Sequence, residues 1–219
     1  MTRHVIIMAV LAWACCGGSV AGQNLPLGEV LSGGDVLVGN TPMPKGAILF
    51  YGDRIQAGRE PSVLQLENRG LLQLFPGAVL SVTKPAEELS IQIDAGKVAF
   101  AFPKNSQVRL AAGQSDARLA GTRDRYYGAI ERGDTRDTLQ SWQGELALTD
   151  TVSGETGTLK AGQQAIVGST AESGQGEPIE KKRRRAIIYI AVGGGAAATG
   201  IILWQVLRES EPEQVVSPS

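Results

Sequence analysis

The densest group of side chains that could perform chemistry lies between residues 116 and 137. Five carboxylates and five guanidinium groups are interleaved there: Asp116, Asp124, Glu131, Asp134 and Asp137, with Arg118, Arg123, Arg125, Arg132 and Arg136. A pair of neighbouring carboxylates is the machinery of glycoside hydrolysis, and Asp134 with Asp137 could also join a calcium site. The arginines lower the pKa of nearby carboxyl groups, which disfavours a general acid. The alternative interpretation is a solvated hairpin with balanced charges.

Histidine and cysteine, the other residues of catalytic and metal sites, occur only at the N-terminus, as His4, Cys15 and Cys16. A basic start, an apolar stretch over 5–16 and small residues at 19 and 21 are typical of a secretory leader. We therefore expect a cleaved signal peptide over residues 1–21. A lipoprotein signal at Cys15 and an uncleaved anchor are the alternatives. Cleavage would leave no imidazole or thiol, which excludes zinc sites, Ser-His-Asp triads, cysteine nucleophiles and disulfides.

The charge of the chain argues against nucleic acid as a partner. The 219 residues carry a formal net charge of −1, with 42% hydrophobic and 20% charged residues. Between Gly22 and Glu180 there are 14 basic and 19 acidic residues, which gives that part a net charge of −5. Binding to phosphates needs a basic face. We therefore expect a protein that is not an enzyme, uses no cofactor and no metal, and acts through its shape and backbone.

A second hydrophobic segment lies near the C-terminus. Residues 186–207 contain no charged side chain, and they are long enough to cross a bilayer as a helix. Tyr189 and Trp204 lie near its two ends, where interfacial aromatic residues are common. We predict a transmembrane helix over 186–207, preceded by a linker and basic run over 169–185 and followed by a disordered tail over 208–219. Small residues such as Ala196 and Gly200 would allow the helix to self-associate.

The orientation of that span is predicted from two signals that conflict. A cleaved leader exports the domain, so the main domain should lie in the periplasm with a single pass through the inner membrane. The positive-inside rule then favours basic residues after the span, whereas five basic residues precede it at 181–185. These residues could lie on anionic lipid head groups, or the domain could be cytoplasmic. We expect export, because the leader acts first during synthesis.

The region between the two ends shows alternating hydrophobic residues in short runs. Clear examples are Leu89, Ile91 and Ile93, and then Val98, Phe100 and Phe102. A period of two over four to six residues is typical of half-buried strands. Turn residues recur roughly every 8 to 12 positions, as in all-β domains. The pattern therefore predicts one all-β domain over residues 28–168, built as a sandwich or as a solenoid-like stack.

The order of several short motifs in this domain resembles that of FecR-type domains. The motifs are Gly52-Asp53-Arg54-Ile55 with Ala57-Gly58, Leu74-Phe75-Pro76-Gly77, Ala95-Gly96-Lys97-Val98, Leu119-Ala120-Gly121-Thr122 with Tyr126, Trp142-Gln143-Gly144-Glu145-Leu146, and Leu159-Lys160-Ala161-Gly162-Gln163. The resemblance implies a stacked β-structure that works in cell-surface signalling. Family regulators carry a cytoplasmic anti-sigma segment before their span, whereas this N-terminus resembles a leader, so we do not expect the anti-sigma role.

The motif residues themselves have a structural explanation. Gly96 and Gly144 follow polar turn residues, where a positive φ favours glycine, and Gly121 should bend the chain at the end of a strand. We therefore interpret the motifs as architectural. Tyr126 and Tyr127 must place one ring on each face of a strand, and Trp142 is expected in the core.

Together these observations predict a membrane-tethered extracytoplasmic module of the bacterial envelope that binds, senses or holds a partner without catalysis. The expected partners are an envelope protein or polysaccharide and the inner membrane. One alternative is a carbohydrate-active enzyme that uses carboxylates near Asp134. The other is a transmembrane signalling regulator.

Overall fold

The computed structural model describes residues 25–33, 35–67, 70–85, 87–168 and 189–192. Every regular element among them is a β-strand, which confirms the all-β prediction for this part of the chain. The strands are β1 (Pro26–Gly33), β2 (Val36–Val38), β3 (Thr41–Met43), β4 (Ile48–Phe50), β5 (Arg54–Ala57), β6 (Ser62–Leu66), β7 (Leu71–Leu74), β8 (Val79–Thr83), β9 (Leu89–Pro103), β10 (Val108–Ala112), β11 (Ser115–Ala120), β12 (Arg125–Arg132), β13 (Arg136–Gln143), β14 (Glu145–Asp150), β15 (Thr156–Leu159), β16 (Gln163–Gly168) and β17 (Tyr189–Val192).

These strands form one hydrogen-bonded network of 17 strands, which β9 divides into two sheets. Sheet 1 has the order β4-β1-β6-β7-β9-β12-β13-β16-β17, and all its neighbours are antiparallel. Sheet 2 has the order β3-β2-β5-β8-β9-β10-β11-β14-β15, and only β9 and β10 run parallel there. The chain crosses repeatedly between the sheets, and successive pairs of strands such as β10–β11 and β12–β13 lie in different sheets.

Strand β9 is 15 residues long and belongs to both sheets. Its first part, 89–93, pairs with β10 in sheet 2, and its second part, 96–103, pairs with β12 in sheet 1. The sequence predicts a turn at 94–96, whereas the structure has a bend inside a continuous strand. Gly96 lies at this bend with φ of 72°. The bend lets one strand supply inward-facing side chains to both layers.

The main hydrophobic core lies between the two sheets. Sheet 1 contributes Phe100 and Phe102, whose rings stack with centroids 5.8 Å apart, and sheet 2 contributes Ile91 and Leu110. A second, smaller cluster lies on the outer face of sheet 1 and contains Val63, Leu71, Ala99, Ala101 and Ala129. Burial alternates along β5, β10 and β14, which follows the period of two that the sequence shows, whereas residues 98–102 of β9 are all buried.

The predicted ends of the chain fall largely outside the described residues. The signal peptide at 1–21, the linker and basic run at 169–185 and the tail at 208–219 all lie there. Within the predicted transmembrane segment, Tyr189–Val192 is described, and its backbone is an edge strand paired with β16 instead of a helix. Residues 186–188 and 193–207 of that segment are not described. Among the described residues, no helix has the length and apolarity needed to cross a membrane.

Candidate functional site

The polar region predicted between residues 116 and 137 is distributed over three strands in two sheets. Three of its charged side chains are paired with residues outside the region. Asp116 on β11 accepts a hydrogen bond of 2.6 Å from Nε of Arg109 on β10, which raises the pKa of that guanidinium. Arg118 lies 3.1 Å from Glu88, and Lys104 lies 3.7 Å from Asp124. These two ion pairs lie at the surface, where such pairs contribute little to stability.

The two carboxylates proposed for chemistry lie in different environments. Asp134 is exposed in the turn between β12 and β13, whereas Asp137 is only 3% exposed. Oδ2 of Asp137 accepts a hydrogen bond of 2.9 Å from the backbone N–H of Gln114 and one of 3.3 Å from the Ser115 hydroxyl. Burial raises the pKa of Asp137, and these hydrogen bonds oppose the rise. Asp137 therefore joins β13 of sheet 1 to the β10–β11 turn of sheet 2.

A calcium site at these carboxylates is likewise not formed by the described part of the chain. No three His, Cys, Asp or Glu side chains in that part are grouped so that they could hold a metal ion. Since calcium needs about six to eight oxygen ligands, Asp134 and Asp137 are better described as a surface residue and a buried structural acceptor.

Residues of two of the motifs that resemble the FecR-type domain meet around one aromatic ring, that of Tyr126. Tyr126 is 3% exposed, and its hydroxyl donates a hydrogen bond of 2.7 Å to the carbonyl of Gly121. The ring lies against the backbone of Gly144, so that a Cβ added there would overlap it. Gly121 and Gly144 have φ values of 85° and 89°. The Ser141 hydroxyl donates a hydrogen bond of 2.9 Å to the carbonyl oxygen of Gly144. These contacts make the motif a packing unit, as the sequence predicts.

The other two aromatic candidates lie on the outer face of sheet 1. Tyr127 and Trp142 are both half-buried and pack against the small cluster that contains Ala99 and Ala129. Tyr126 and Tyr127 thus occupy opposite faces of β12, as predicted. Trp142 is expected in the core, and it packs half-buried against this small outer cluster, not within the main core. Its outward face follows from the alternation along β13, in which Asp137, Leu139 and Ser141 point inward.

A polar cleft of about 400 Å³ opens where the ends of several strands meet. We call it the Tyr51 cleft. Its lining residues are Tyr51, Glu67, Lys84, Glu87, Leu89, Pro103, Lys104, Asn105, Ser106 and Gln107. They come from the residues after β4, β6 and β8 and from both ends of β9, so that the turns of both sheets contribute to one surface. Clefts of this size with convergent polar groups are the usual places for small ligands.

One wall of the Tyr51 cleft is a network of three side chains. The Tyr51 hydroxyl donates a hydrogen bond of 2.7 Å to Oε1 of Glu67, and Nζ of Lys84 donates one of 2.6 Å to the same oxygen. Burial and the bond to Glu67 raise the pKa of Tyr51, so its hydroxyl stays protonated. The hydrogen bond from Lys84 holds the pKa of Glu67 below its usual range, and the same bond raises the pKa of Lys84. The wall therefore holds one fixed negative and one fixed positive charge near neutral pH.

The opposite wall is the loop from β9 to β10. Asn105 adopts a left-handed conformation with φ of 64°, which asparagine tolerates better than most residues. The backbone N–H of Leu89 donates a hydrogen bond of 2.8 Å to the carbonyl of Gln107, and the N–H of Lys104 donates one of 2.8 Å to the carbonyl of Asp124. The loop is thus anchored at both ends through its backbone. Its polar side chains remain directed to the cleft and to solvent.

Sequence reasoning did not find the Tyr51 cleft. Its residues are spread from 51 to 107 and share no motif. Most lie between strands in segments of ordinary composition, and Leu89 and Pro103 are the terminal residues of β9. The only local signal is Lys104-Asn105, a polar pair that follows a long apolar alternation and therefore marks a turn. Pairing of non-neighbouring strands is what brings Tyr51, Glu67 and Lys84 together.

No family model matches the chain, and no curated protein matches it significantly. Two crystal structures have a similar fold, each described as a candidate anti-sigma factor from Parabacteroides distasonis. The one at 1.65 Å has a TM-score of 0.51 and 13% identity, over 69% of this chain and 64% of the other. The one at 2.50 Å has a TM-score of 0.49 and 13% identity, over 63% of this chain and 58% of the other. The chain thus spans less than two thirds of each, and the likeness is one of fold alone.

Proposed function

We propose that this chain is a FecR-like module of the bacterial envelope, tethered to the inner membrane and exposed to the periplasm, where it binds or senses a partner without catalysis. The observation that carries the proposal is the packing of Tyr126 against Gly121 and Gly144. The most specific residues of the resemblance thereby form one structural unit, as expected if the chain shares the architecture of that family.

The fold likeness supports the same proposal in a coarser way. The neighbour with a TM-score of 0.51 is described as a candidate anti-sigma factor, a signalling protein. A β-domain of that kind is consistent with sensing in this chain. The anti-sigma activity itself is not part of the proposal, because the likeness to that neighbour is one of fold alone.

Binding is favoured over catalysis by the state of the acidic side chains. Asp116, Asp124 and Glu88 are paired with basic residues, and Asp137 is a buried acceptor of backbone hydrogen bonds. Glu67 has a lowered pKa, so it is a poor proton donor near neutral pH. The Tyr51 cleft instead offers positioned hydrogen-bonding groups, which is the requirement for recognition.

Reporter fusions test the placement of the domain. Alkaline phosphatase joined after Gly168 should be active, because it folds only when its disulfides form outside the cytoplasm. A fluorescent protein that folds only in the cytoplasm should stay dark at the same junction. The matched control is the same pair of fusions to a chain without residues 1–21. Active phosphatase in the wild-type chain alone is expected, and an inactive phosphatase with a bright fluorescent partner would overturn the proposal.

A further inference from the structure

We propose that the Tyr51 cleft binds a neutral, hydroxyl-rich ligand, namely a short oligosaccharide segment. This inference rests on the proposed function and names the class of partner that the module would bind. It is argued from the charges, the free hydrogen-bonding groups and the apolar floor of the cleft.

The charges of the cleft cancel. Its lining contains two lysines, Lys84 and Lys104, and two glutamates, Glu67 and Glu87. Nζ of Lys84 is 2.6 Å from Glu67, and Nζ of Lys104 is 3.7 Å from Asp124 outside the lining. The ammonium group of Lys84 is therefore already paired with a carboxylate, whereas the exposed Lys104 and Asp124 form only a loose surface contact. Because two lysines are matched by two glutamates, the lining carries no net charge and favours a ligand that has none.

The cleft also presents hydrogen-bonding groups that the protein does not use internally. Both the Tyr51 hydroxyl and Lys84 donate to Oε1 of Glu67, and among the described residues no donor reaches Oε2. On the opposite wall, the side chains of Asn105, Ser106 and Gln107 make no hydrogen bond within the described part of the chain. Sugar hydroxyls donate and accept at once, which matches a carboxylate oxygen facing amide and hydroxyl groups.

The lining of the cleft includes two apolar side chains, the half-buried Pro103 and Leu89, which is 4% exposed. We call these two side chains the floor of the cleft. The Tyr51 ring borders the same space, and Lys84 lies 6.0 Å from its centroid. A pyranose ring has one face of C–H groups and a rim of hydroxyls, so it can contact the floor while its rim reaches both walls.

An extended peptide fits the cleft less well. Peptides that bind to β-domains usually add a strand and need unpaired backbone groups at a sheet edge. Three backbone N–H groups in or beside the cleft are paired within the protein: that of Leu89 with Gln107, that of Lys104 with Asp124, and that of Gly52 with Val82 at 2.8 Å. These three groups are not available to an added strand, whereas the polar side chains of the lining can bind hydroxyl groups.

Calorimetric titration of the full chain in lipid nanodiscs tests this inference. The probes are maltotriose, cellotriose and triacetylchitotriose, with trigalacturonic acid and pentaalanine as charged and peptide comparisons. At least one neutral trisaccharide should bind saturably. The double variant Asn105→Ala, Gln107→Ala should bind it about tenfold more weakly, since two hydrogen bonds are lost. Gln56→Ala, an exposed amide on β5, is the matched control and should bind as the wild type does.

Three results would overturn the inference: no saturable binding of any neutral trisaccharide, tighter binding of trigalacturonic acid or pentaalanine, or an equal loss in Gln56→Ala. Unchanged melting temperatures of the variants exclude misfolding as the cause of a loss. The reporter fusions address placement separately. An active phosphatase fusion with no saccharide binding would reject the ligand class and leave the tethered periplasmic module in place.

Discussion

The ring of Tyr126 packs directly on the backbone of Gly144, 18 residues later in the chain. The hydroxyl of the same tyrosine donates a hydrogen bond of 2.7 Å to the carbonyl oxygen of Gly121. One side chain thus connects the end of β11, the start of β12 and the turn between β13 and β14. Because β11 and β14 belong to sheet 2 while β12 and β13 belong to sheet 1, this contact fixes a point where the chain crosses between layers.

This packing predicts unequal costs for two glycine substitutions. Gly121→Ala should lower the free energy of unfolding by about 1 kcal/mol, because φ of 85° is strained for alanine but the space is open. Gly144→Ala should lower it by roughly 2–4 kcal/mol, because the methyl group must also displace the Tyr126 ring. Urea unfolding of both variants measures the difference. Equal losses would contradict the proposed contact.

Asp137 gives a prediction about pH. Its pKa is raised by burial, so the folded state holds the proton more tightly than the unfolded state does. Ionisation of Asp137 therefore lowers the free energy of unfolding, and this loss of stability grows as the pH rises above the usual carboxyl pKa of about 4. Asp137→Asn lacks that cost, so its stability relative to the wild type should improve between about pH 3 and pH 6. Thermal unfolding across this range checks it; a relative decline would contradict the direction of the shift.

The hydrogen bonds to Asp137 give a separate prediction. Asp137→Ala removes the acceptor for the N–H of Gln114, which would leave a backbone donor without its partner. We expect a loss of about 1–3 kcal/mol in the free energy of unfolding, whereas Asp134→Ala in the exposed turn should change it by less than about 0.5 kcal/mol. Chemical denaturation of the two variants distinguishes them, and similar losses would show that burial of Asp137 has been misjudged.

Trp142 carries a buried indole N–H that has no hydrogen-bond partner among the described residues. Trp142→Phe keeps an aromatic ring on the outer face of sheet 1 and removes that donor. The free energy of unfolding should therefore be unchanged or rise by up to about 1 kcal/mol. Trp142→Ala should lower it by roughly 1–3 kcal/mol, because the small cluster loses its cover. A clear loss on replacement by phenylalanine would indicate an acceptor for the indole.

The network in the Tyr51 cleft predicts a weak acid dependence. The pKa of Glu67 is lowered, so the ionised carboxylate stabilises the folded state. This stabilisation is fully present at pH values above the usual pKa of glutamate and is lost as the pH falls below it. Glu67→Gln should remove this dependence. It should also return the pKa of Lys84 toward its ordinary value, since the hydrogen bond to the carboxylate causes the rise. Titration of the lysine side chain by NMR in the two proteins measures the shift, and identical curves would contradict the bond.

The alternation of residues predicted the inward-facing side chains well, because a strand fixes its two faces locally. Phe100 and Phe102 lie in the core as expected. In β13 the same period places Asp137, Leu139 and Ser141 inward, so the burial of Asp137 could have been predicted from Leu139. The bend at Gly96 was misjudged as a turn, because a positive φ does not distinguish a chain reversal from a strand that changes sheet.

The candidate site could not be predicted in the same way. Tyr51, Glu67 and Lys84 lie in separate turns, and their meeting depends on how β4, β6 and β8 are ordered in two sheets. Periodicity predicts where strands occur and which residues face inward. It does not predict which distant strands pair with each other. Trp142 does not share this limit, because the alternation along β13 that points Asp137, Leu139 and Ser141 inward also points Trp142 outward.

The most direct test of the account is the side of the inner membrane on which the β-domain lies. Gln56→Cys places a thiol at an exposed position of β5, and Ala57→Cys, at a buried position, is the matched control. Cells expressing the full chain are treated with a maleimide that passes the outer membrane and not the inner membrane. We predict labelling of Gln56→Cys in intact cells, and no labelling of Ala57→Cys or of the wild-type chain. Labelling of Gln56→Cys only after the inner membrane is opened would contradict the account.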